Sequence, residues 1–222
     1  MLVIFDCDGV LVESERIVNR VEAEFLSSRG WPLDPQQARA LFKGHTFAEV
    51  LRLSREHIPG GVADDWVYEL GMATALALHR ELAPVAGVTE VLETLRRASI
   101  PVCVASQSVP SRVRLSLRLC GLEGFFGKNV FSASMVARPK PAPDLFLHAA
   151  ATLGVRPEAC TVIEDSPTGV RAAVSAGMRV FGYAGDEDPE ALAQAGAITF
   201  THMAELPHLL GLTRPSAAAS GR

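Results

Sequence analysis

Two aspartates stand at the end of the first apolar segment of the chain. Residues 2–5 read LVIF, and Asp6-Cys7-Asp8-Gly9 follows at once. Two carboxylates this close repel each other, and a nearby cation offsets that repulsion. Mg²⁺ prefers carboxylate oxygens, and a carboxylate beside such an ion can attack a phosphorus atom. A second carboxylate two residues on can carry a proton to and from the reacting oxygen, so the pair is typical of phosphoryl transfer.

Further polar residues stand at the ends of later segments. Ser106 and Gln107 follow one apolar segment, Glu164 and Asp165 end another, and Lys140 lies between prolines before a predicted helix. Because ligands bind beyond the carboxyl ends of parallel strands, we expect these groups to share one edge of a sheet. A hydroxyl and an ammonium group at that edge would hold phosphoryl oxygens while charge shifts during transfer.

Each of these residues also has a simpler structural interpretation. Asp8-Gly9 is a common turn pair, Ser106 fits a helix cap, and Lys140 fits a solvated loop charge. Asp165, followed by Ser-Pro, fits the start of a helix. A calcium loop of the EF-hand type is disfavoured, because such a loop follows a helix whereas these aspartates follow a strand. The coincidence of the four groups at separate strand ends favours the catalytic interpretation.

The elements that would position these groups alternate along the chain. Five short apolar segments are predicted to be buried strands: 3–5, 101–106, 129–133, 160–165 and 179–183. Amphipathic stretches between them are predicted to be helices: 88–98, 110–120, 143–153 and 167–176. Strand–helix alternation predicts an α/β fold, a Rossmann-like three-layer core with a parallel sheet.

Residues 15–86 break this alternation. The segment shows only helical periodicity interrupted by Gly and Pro, and Thr46-Phe47-Ala48-Glu49 has the form of a capping box. We therefore predict an inserted α-helical cap domain over 15–86, with hinges near 12–16 and 82–88 and a core domain formed by 1–14 and 87–212. The small, polar tail at 213–222 is predicted to be disordered.

Composition narrows the class of partner. The chain has 222 residues, 48% of them hydrophobic, with 21 Lys and Arg against 25 Asp and Glu and a net charge of −4. This balance disfavours nucleic acid and anionic membranes as partners, because both favour a clustered basic face. The four cysteines are far apart and form no C-x-x-C pair, so neither a disulfide framework nor a zinc site is favoured. With no leader-like or membrane-spanning segment recognised, we expect a cytoplasmic protein.

Four motifs together resemble those of one enzyme superfamily. They are FDCDGV at 5–10, VASQS at 104–108, KPAPD at 140–144 and VIEDSPTGVRAAVSAGM at 162–178. The chain resembles the haloacid dehalogenase superfamily of phosphatases, in the branch that inserts a helical cap after the first strand and includes β-phosphoglucomutases and 6-phosphogluconate phosphatases. The resemblance implies Mg²⁺-dependent hydrolysis of a small phosphorylated metabolite, a sugar or sugar-acid phosphate, through an aspartyl-phosphate.

The resemblance also implies a role for each motif residue. Asp6 would be the nucleophile and Asp8 the general acid and base. Ser106 and Lys140 would fix the phosphate. The implied metal site comprises Asp6, the backbone carbonyl of Asp8, Asp165 and, as an outer or alternate ligand, Glu164.

Two other functions remain as alternatives. A β-phosphoglucomutase-type phosphosugar mutase is disfavoured, because such mutases carry His and Arg where this chain has Val18 and Phe47. A non-catalytic module that binds phosphorylated metabolites is disfavoured, because Asp6 and Asp8 are both present. For the assembly we expect a monomer or a weak homodimer.

Three residues are candidates to contact the substrate. Lys43 and His45 lie in the cap, in a stretch similar to that of sugar-phosphate phosphatases. Gln107 replaces the Asn or Ser that is usual after the first Ser of the second motif. A solvated charge for Lys43 and an ordinary loop histidine for His45 are the simpler interpretations. The other histidines, including His148 and His202, are interpreted as structural.

Overall fold

The chain folds around one parallel sheet. The computed structural model describes residues 1–42, 47–58, 60, 62–63, 65–185 and 188–212. Its strands are β1 Leu2–Phe5, β2 Val102–Ser106, β3 Val130–Ser132, β4 Cys160–Glu164, β5 Arg179–Tyr183 and β6 Ile198–Phe200. They lie side by side in the order β3-β2-β1-β4-β5-β6, and each neighbouring pair is parallel. The predicted α/β fold is confirmed.

Helices connect the strands and flank the sheet. Those between β1 and β2 are α1 Glu15–Ser27, α2 Pro35–Phe42, α3 Phe47–His57, α4 Trp66–Glu81 and α5 Val88–Arg97. Those after β2 are α6 Pro110–Leu119, α7 Glu123–Phe126, α8 Asp144–Thr152, α9 Pro167–Ser175, α10 Pro189–Ala195 and α11 Leu206–Leu209. The four core helices expected from amphipathic periodicity, α5, α6, α8 and α9, begin and end within about two residues of their predicted bounds.

Alternate residues of each central strand face opposite helical layers. In β1, Val3 and Phe5 pack into a buried cluster with residues of α5, α6 and α7, whereas Leu2 and Ile4 pack with residues of α8, α9 and α10. A strand buried on both faces cannot alternate apolar with polar residues, so LVIF is continuously apolar. The layers on both faces make the core three-layered, as predicted.

The segment between β1 and β2 contains a separate apolar cluster. Side chains from α1, α2, α3 and α4 surround Leu26, Trp66 and Leu70 there, and all three are nearly fully buried. Two segments of the chain connect this helical group to the core, and they are hydrogen-bonded to each other. The Glu13 N–H donates to the Ala83 carbonyl, and the Val85 N–H donates to the Leu11 carbonyl. Glu13, Ala83 and Val85 lie in the predicted hinge segments and Leu11 just before the first of them, while the bounds of the cap domain stay a prediction.

The last part of the sheet was missed by the sequence analysis. Strand β6 has only three residues, and helix α10 precedes it in a stretch too short for a clear periodicity. Thr46, which would open the predicted capping box, and the tail at 213–222 lie outside the described residues. Within the described ranges, no helix has both the length and the apolar character needed to cross a membrane.

Candidate active site

A tight turn after β1 places the two aspartates. Asp6 N–H still donates to the Ile163 carbonyl of β4, so the backbone of Asp6 continues the sheet. Gly9 follows with φ +84°, a conformation that side chains other than hydrogen strongly disfavour. A Cβ atom at Gly9 would also lie 2.2 Å from Oδ2 of Asp165. Asp8-Gly9 is therefore a turn, as its simpler interpretation held, and this turn brings its backbone against a second acidic loop.

Asp6 shares a buried ion network with Lys140. The Lys140 ammonium donates to Oδ1 of Asp6 at 2.6 Å, to Oε1 of Glu164 at 2.6 Å and to the Ala105 carbonyl at 2.9 Å. Burial raises the pKa of Asp6 to about 7, the Lys140 charge opposes that rise, and the nearby Glu164 charge adds to it. Burial alone would lower the pKa of Lys140, but the two carboxylates raise it above its ordinary value. Lys140 therefore stays charged and holds one oxygen of Asp6.

Glu164 is fully occupied within the protein. Its Oε1 accepts from Lys140, and its Oε2 accepts from the N–H groups of Asp165 and Ser166 and from the Ser166 hydroxyl. A Cβ atom at Gly169 would lie 1.9 Å from Oε1 of Glu164, so α9 packs directly against this carboxylate. This arrangement favours Glu164 as the partner of Lys140 over Glu164 as a direct metal ligand.

The loop after β2 supports Lys140 from the other side. The Gln107 side-chain amide donates to the Lys140 carbonyl at 3.4 Å and accepts from the Lys140 N–H at 3.3 Å. Ser106 is 1% exposed, and its hydroxyl oxygen accepts from the Ser108 N–H at 3.1 Å. Gln107, a candidate substrate contact, thus hydrogen-bonds to the Lys140 backbone. Ser106 lies at the carboxyl end of β2, as predicted.

Asp8 faces a different set of partners. Its Oδ1 accepts from the Ser14 hydroxyl and from the Arg112 guanidinium at 3.3 Å, and its Oδ2 accepts from the Ser108 hydroxyl at 2.8 Å. Burial alone would raise the pKa of Asp8, but the Arg112 charge and the two hydroxyl donors outweigh burial and lower it. In this arrangement the carboxylate of Asp8 is therefore directed at Ser14, Ser108 and Arg112, all of which favour its ionised form.

The acidic loops suit a hard cation. Asp6 and Asp165 follow the paired strands β1 and β4, and the Gly9 turn leaves no space for a side chain between itself and Asp165. Two carboxylates that leave positions for water and phosphate oxygens are the donor set that Mg²⁺ favours. Among the described residues no three His, Cys, Asp or Glu side chains form a ready metal cluster.

A cavity opens beside Asp165. Its volume is about 390 Å³, and its walls come from the turn after β1, from both predicted hinges and from the ends of β4, β5 and β6. Arg16, Thr201 and His202 are among the residues that line it. The His202 N–H donates to Oε1 of Glu205 at 2.8 Å, which agrees with its structural interpretation, although the residue also borders this space.

Several residues around the aspartates were missed by the sequence analysis. Ser14, Ser108 and Arg112 bind Asp8, but they belong to three separate segments. A pattern could have identified Ser108, which lies in the VASQS loop. Arg112 is far along the chain from Asp8, and no local pattern indicates that the two meet. Lys43 and His45 lie outside the described residues, so their contacts with a substrate stay predictions.

Comparison with known proteins places the chain among characterised hydrolases. The model of the haloacid dehalogenase-like hydrolases matches residues 1–177. The chain is 30% identical to the 6-phosphogluconate phosphatase of Escherichia coli over 208 residues, with 93% of each protein covered. It is 31% identical to a phosphorylated carbohydrates phosphatase of Thermotoga maritima, with 94% of this chain and 97% of that protein covered.

A solved structure agrees with these matches over the whole fold. The crystal structure of a hydrolase from Deinococcus radiodurans, which contains bound phosphate and sodium, superposes with a TM-score of 0.81. The two sequences are 36% identical, and the alignment covers 97% of this chain and 98% of that chain. The likeness therefore includes the helices inserted between β1 and β2 as well as the sheet.

Proposed function

Because the chain belongs to the family of haloacid dehalogenase-like hydrolases, we propose that it is a Mg²⁺-dependent phosphatase of a small phosphorylated sugar or sugar acid. One observation carries the proposal. The two aspartates after β1 have different partners: the buried Lys140 ammonium holds Asp6, whereas Asp8 is turned toward Ser14, Ser108 and Arg112. One carboxylate is thus fixed beside a cation of the core, and the other lies apart from it, as a nucleophile and a separate proton carrier require.

The cation would lie between the acidic loops. Asp6 and Asp165, with the backbone carbonyl of Asp8, are the residues that would hold it. A bound Mg²⁺ supplies positive charge that keeps Asp6 ionised and screens the anionic phosphate from the carboxylates. The protein itself supplies the second charge, because Lys140 already holds Oδ1 of Asp6 at 2.6 Å.

The first chemical step uses Asp6 as the nucleophile. One carboxylate oxygen attacks phosphorus, and the bond from phosphorus to the ester oxygen breaks. Once Asp8 has turned away from the donors that lower its pKa, it can carry a proton, and it gives that proton to the departing oxygen, so the leaving group departs as a neutral alcohol. Ser106 and Lys140 lie at the ends of the neighbouring loops, where they would hold the phosphoryl oxygens.

The second step returns the enzyme to its starting state. Asp8, now ionised, accepts a proton from water while the water oxygen attacks phosphorus. The bond between Asp6 and phosphorus breaks, inorganic phosphate departs, and Asp8 again carries the proton. The lowered pKa of Asp8 in the arrangement described above suits this second step, since an ionised Asp8 is the form that accepts a proton.

The substrate class rests on the relatives. The names of two of them, 6-phosphogluconate phosphatase and phosphorylated carbohydrates phosphatase, describe esters of polyhydroxylated carbon chains. We therefore propose a substrate of the same chemical class for this chain, and we propose that the inserted helices contact its leaving group. Lys43 and His45 are proposed to contact the body of that substrate.

A phosphate-release assay tests the proposal. The purified protein would be assayed against sugar, sugar-acid, polyol and nucleoside phosphates, with and without Mg²⁺. We expect release from carbohydrate esters that requires Mg²⁺, and a loss of about 10⁴-fold or more for Asp6→Asn, because the amide is not a nucleophile. Asp34→Asn is the matched control, since Asp34 is exposed and accepts from the Gln37 N–H at the start of α2, where Asn caps a helix equally well.

Three results would contradict the proposal. Absence of phosphate release from every ester in the presence of Mg²⁺ would exclude a phosphatase of this substrate class. Conversion of a hexose 1-phosphate to its isomer without free phosphate would identify the mutase alternative. Equal activity of Asp6→Asn and the original protein would remove Asp6 from the chemistry.

A further inference from the structure

Arg112 lies between the core and the inserted helices. It is the third residue of α6, and its Nη2 atom lies 3.3 Å from Oδ1 of Asp8. Its Nε atom is buried and has no hydrogen-bond partner within the described part of the chain. A guanidinium has donors arranged to serve two groups at once, and here only one side is used. A buried donor of this kind needs an acceptor, and a carboxylate that came within reach would supply one.

Glu22 is the nearby group that could accept from it. This residue lies on α1 and is 5% exposed, which is rare for a carboxylate without a partner. No hydrogen bond to its side chain is found among the described residues. Burial raises the pKa of Glu22 to about 7, and the charge of Arg112 is what opposes that rise. Glu22 is thus the carboxylate on which the charge of Arg112 acts, and the described part of the chain shows no ion pair between the two.

The residue that precedes helix α1 also contacts Asp8. Ser14 stands just before α1 and donates its hydroxyl to Oδ1 of Asp8. Glu22 lies eight residues further, so it is on the same side of the helix about two turns away. Any displacement of α1 on the core therefore changes the contact of Ser14 with Asp8 and the distance from Glu22 to Arg112 together.

The position of Arg112 in its own helix is electrostatically unfavourable. The first turn of a helix carries the positive end of its dipole, where a cation is disfavoured and an anion is favoured. Asp8 supplies the anion that offsets this in the present arrangement. When Asp8 turns away, another anion is needed to offset the charge of Arg112, and Glu22 is a buried carboxylate on which that charge already acts.

We propose that Arg112 is a positioning residue shared by two carboxylates: in contact with Asp8 it keeps that group turned from Asp6, and on passing to Glu22 it releases Asp8 toward the phosphoryl group. The inference rests on the phosphatase function proposed above. It makes the position of α1, and so of the inserted helices, control whether the proton carrier faces the reaction. Arg112 does not contact the reacting atoms itself.

The test compares two esters that differ in their need for acid assistance. A sugar phosphate has a strongly basic leaving oxygen that needs a proton, whereas p-nitrophenolate leaves without one. We expect Glu22→Gln to lower kcat/KM about tenfold for the sugar phosphate and less than about threefold for p-nitrophenyl phosphate. Glu24→Gln is the matched control, because Glu24 is an exposed α1 carboxylate paired with Arg20.

A double-mutant cycle then assigns the effect to Arg112. In an Arg112→Gln protein, Glu22→Gln should change kcat/KM less than about twofold, because that protein has no guanidinium for Glu22 to bind. Arg112→Lys should recover part of the loss seen in Arg112→Gln, while Arg114→Gln on the same helix should behave as the original protein. Equal losses from Glu22→Gln in both backgrounds, or equal losses on both esters, would overturn the proposal.

Thermal unfolding separates this proposal from the phosphatase function. Arg112→Gln leaves Asp8 and Glu22 without their cation, so its Tm should fall, and adding Glu22→Gln should restore part of that fall. This result does not depend on turnover. If the original protein hydrolysed neither ester, the phosphatase function would be excluded, and the Tm cycle would still decide the pairing. A double variant no more stable than Arg112→Gln would overturn the pairing.

Discussion

The two sides of the turn after β1 differ in where their groups come from. On the Lys140 side, Asp6 accepts from Lys140, and the other partners of that ammonium, the Ala105 carbonyl and Glu164, belong to β2 and β4 of the core. On the Arg112 side, the partners of Asp8 include Ser14, which stands at the junction with the inserted helices. One carboxylate is fixed by the core, and the other is held partly by the region that connects to the insert.

This difference bears on how one turn supports two tasks. A nucleophile needs a constant position, and the buried network around Lys140, which is 4% exposed, provides one. A proton carrier must change its partner during the cycle, and a carboxylate held by hydroxyls and a partly exposed arginine can do so. Side-chain exposures of 22% for Arg112 and 23% for Asp8 agree with that mobility.

The largest expected effect comes from removing Lys140. Lys140→Met would leave Asp6 and Glu164 buried without a shared cation. Breaking a buried ion network in this way costs about 3–5 kcal/mol of unfolding free energy, and phosphate release should be lost as well. Chemical denaturation and the phosphate assay measure the two effects. Lys128→Met serves as control, because Lys128 is exposed.

Comparable stability of Lys140→Met and Lys128→Met would show that the core does not fix Asp6 through this network. Partial retention of stability in Lys140→Arg, with loss of activity, would support it instead. A guanidinium keeps the charge but cannot make the same three short contacts with Asp6, Glu164 and the Ala105 carbonyl.

The second-largest expected effect is on catalysis, with little change in the unfolding free energy. Asp8→Asn removes the proton carrier but keeps a side chain of equal size that can still bind Ser14 and Ser108. We expect phosphate release from a sugar phosphate to fall by about 10²–10⁴-fold, the usual contribution of general acid–base catalysis. The unfolding free energy should change much less than in Lys140→Met. Activity within tenfold of the original protein would contradict the role of Asp8.

The sequence predicted the parts of the site that follow from strand ends. Asp6, Ser106, Glu164 and Asp165 stand at the carboxyl ends of β1, β2 and β4, and apolar segments of four to six residues locate such ends well. Parallel pairing then brings those ends together, as the register of Phe5 with Ile163 shows. The family resemblance, which rests on these same loops, is confirmed by the matching model over residues 1–177.

The surroundings of Asp8 could not be predicted in the same way. They depend on how α1 and the start of α6 pack over the turn, which is a matter of side-chain direction and tertiary contact. Glu22 illustrates the difficulty, because amphipathic periodicity gives no reason for a glutamate to be 5% exposed. Strand β6 was not predicted for a different reason, because its three residues, ITF, are too few to show a periodicity.

The smallest expected effect tests how tightly Asp8 is held. Ser108→Ala removes one of the donors to Asp8, the hydroxyl at 2.8 Å from Oδ2, and leaves Ser14 and Arg112 in place. The Ser108 hydrogen bond is among the causes that lower the pKa of Asp8, so its loss should raise that pKa toward the ordinary value. We expect kcat on a sugar phosphate to change by less than about tenfold, as for a single hydrogen bond to a charged group.

The sign of the pH effect follows from the role of Asp8 in the second step. Ionised Asp8 accepts the proton from water, so activity limited by that step falls when the pH drops below the pKa of Asp8. Raising that pKa moves the acid side of the kcat profile to higher pH in Ser108→Ala, while Ser111→Ala, on the exposed face of α6, should leave it in place. A shift to lower pH would mean that Ser108 holds Asp8 in its acid form, and the contrast between the two sides of the turn would then disappear.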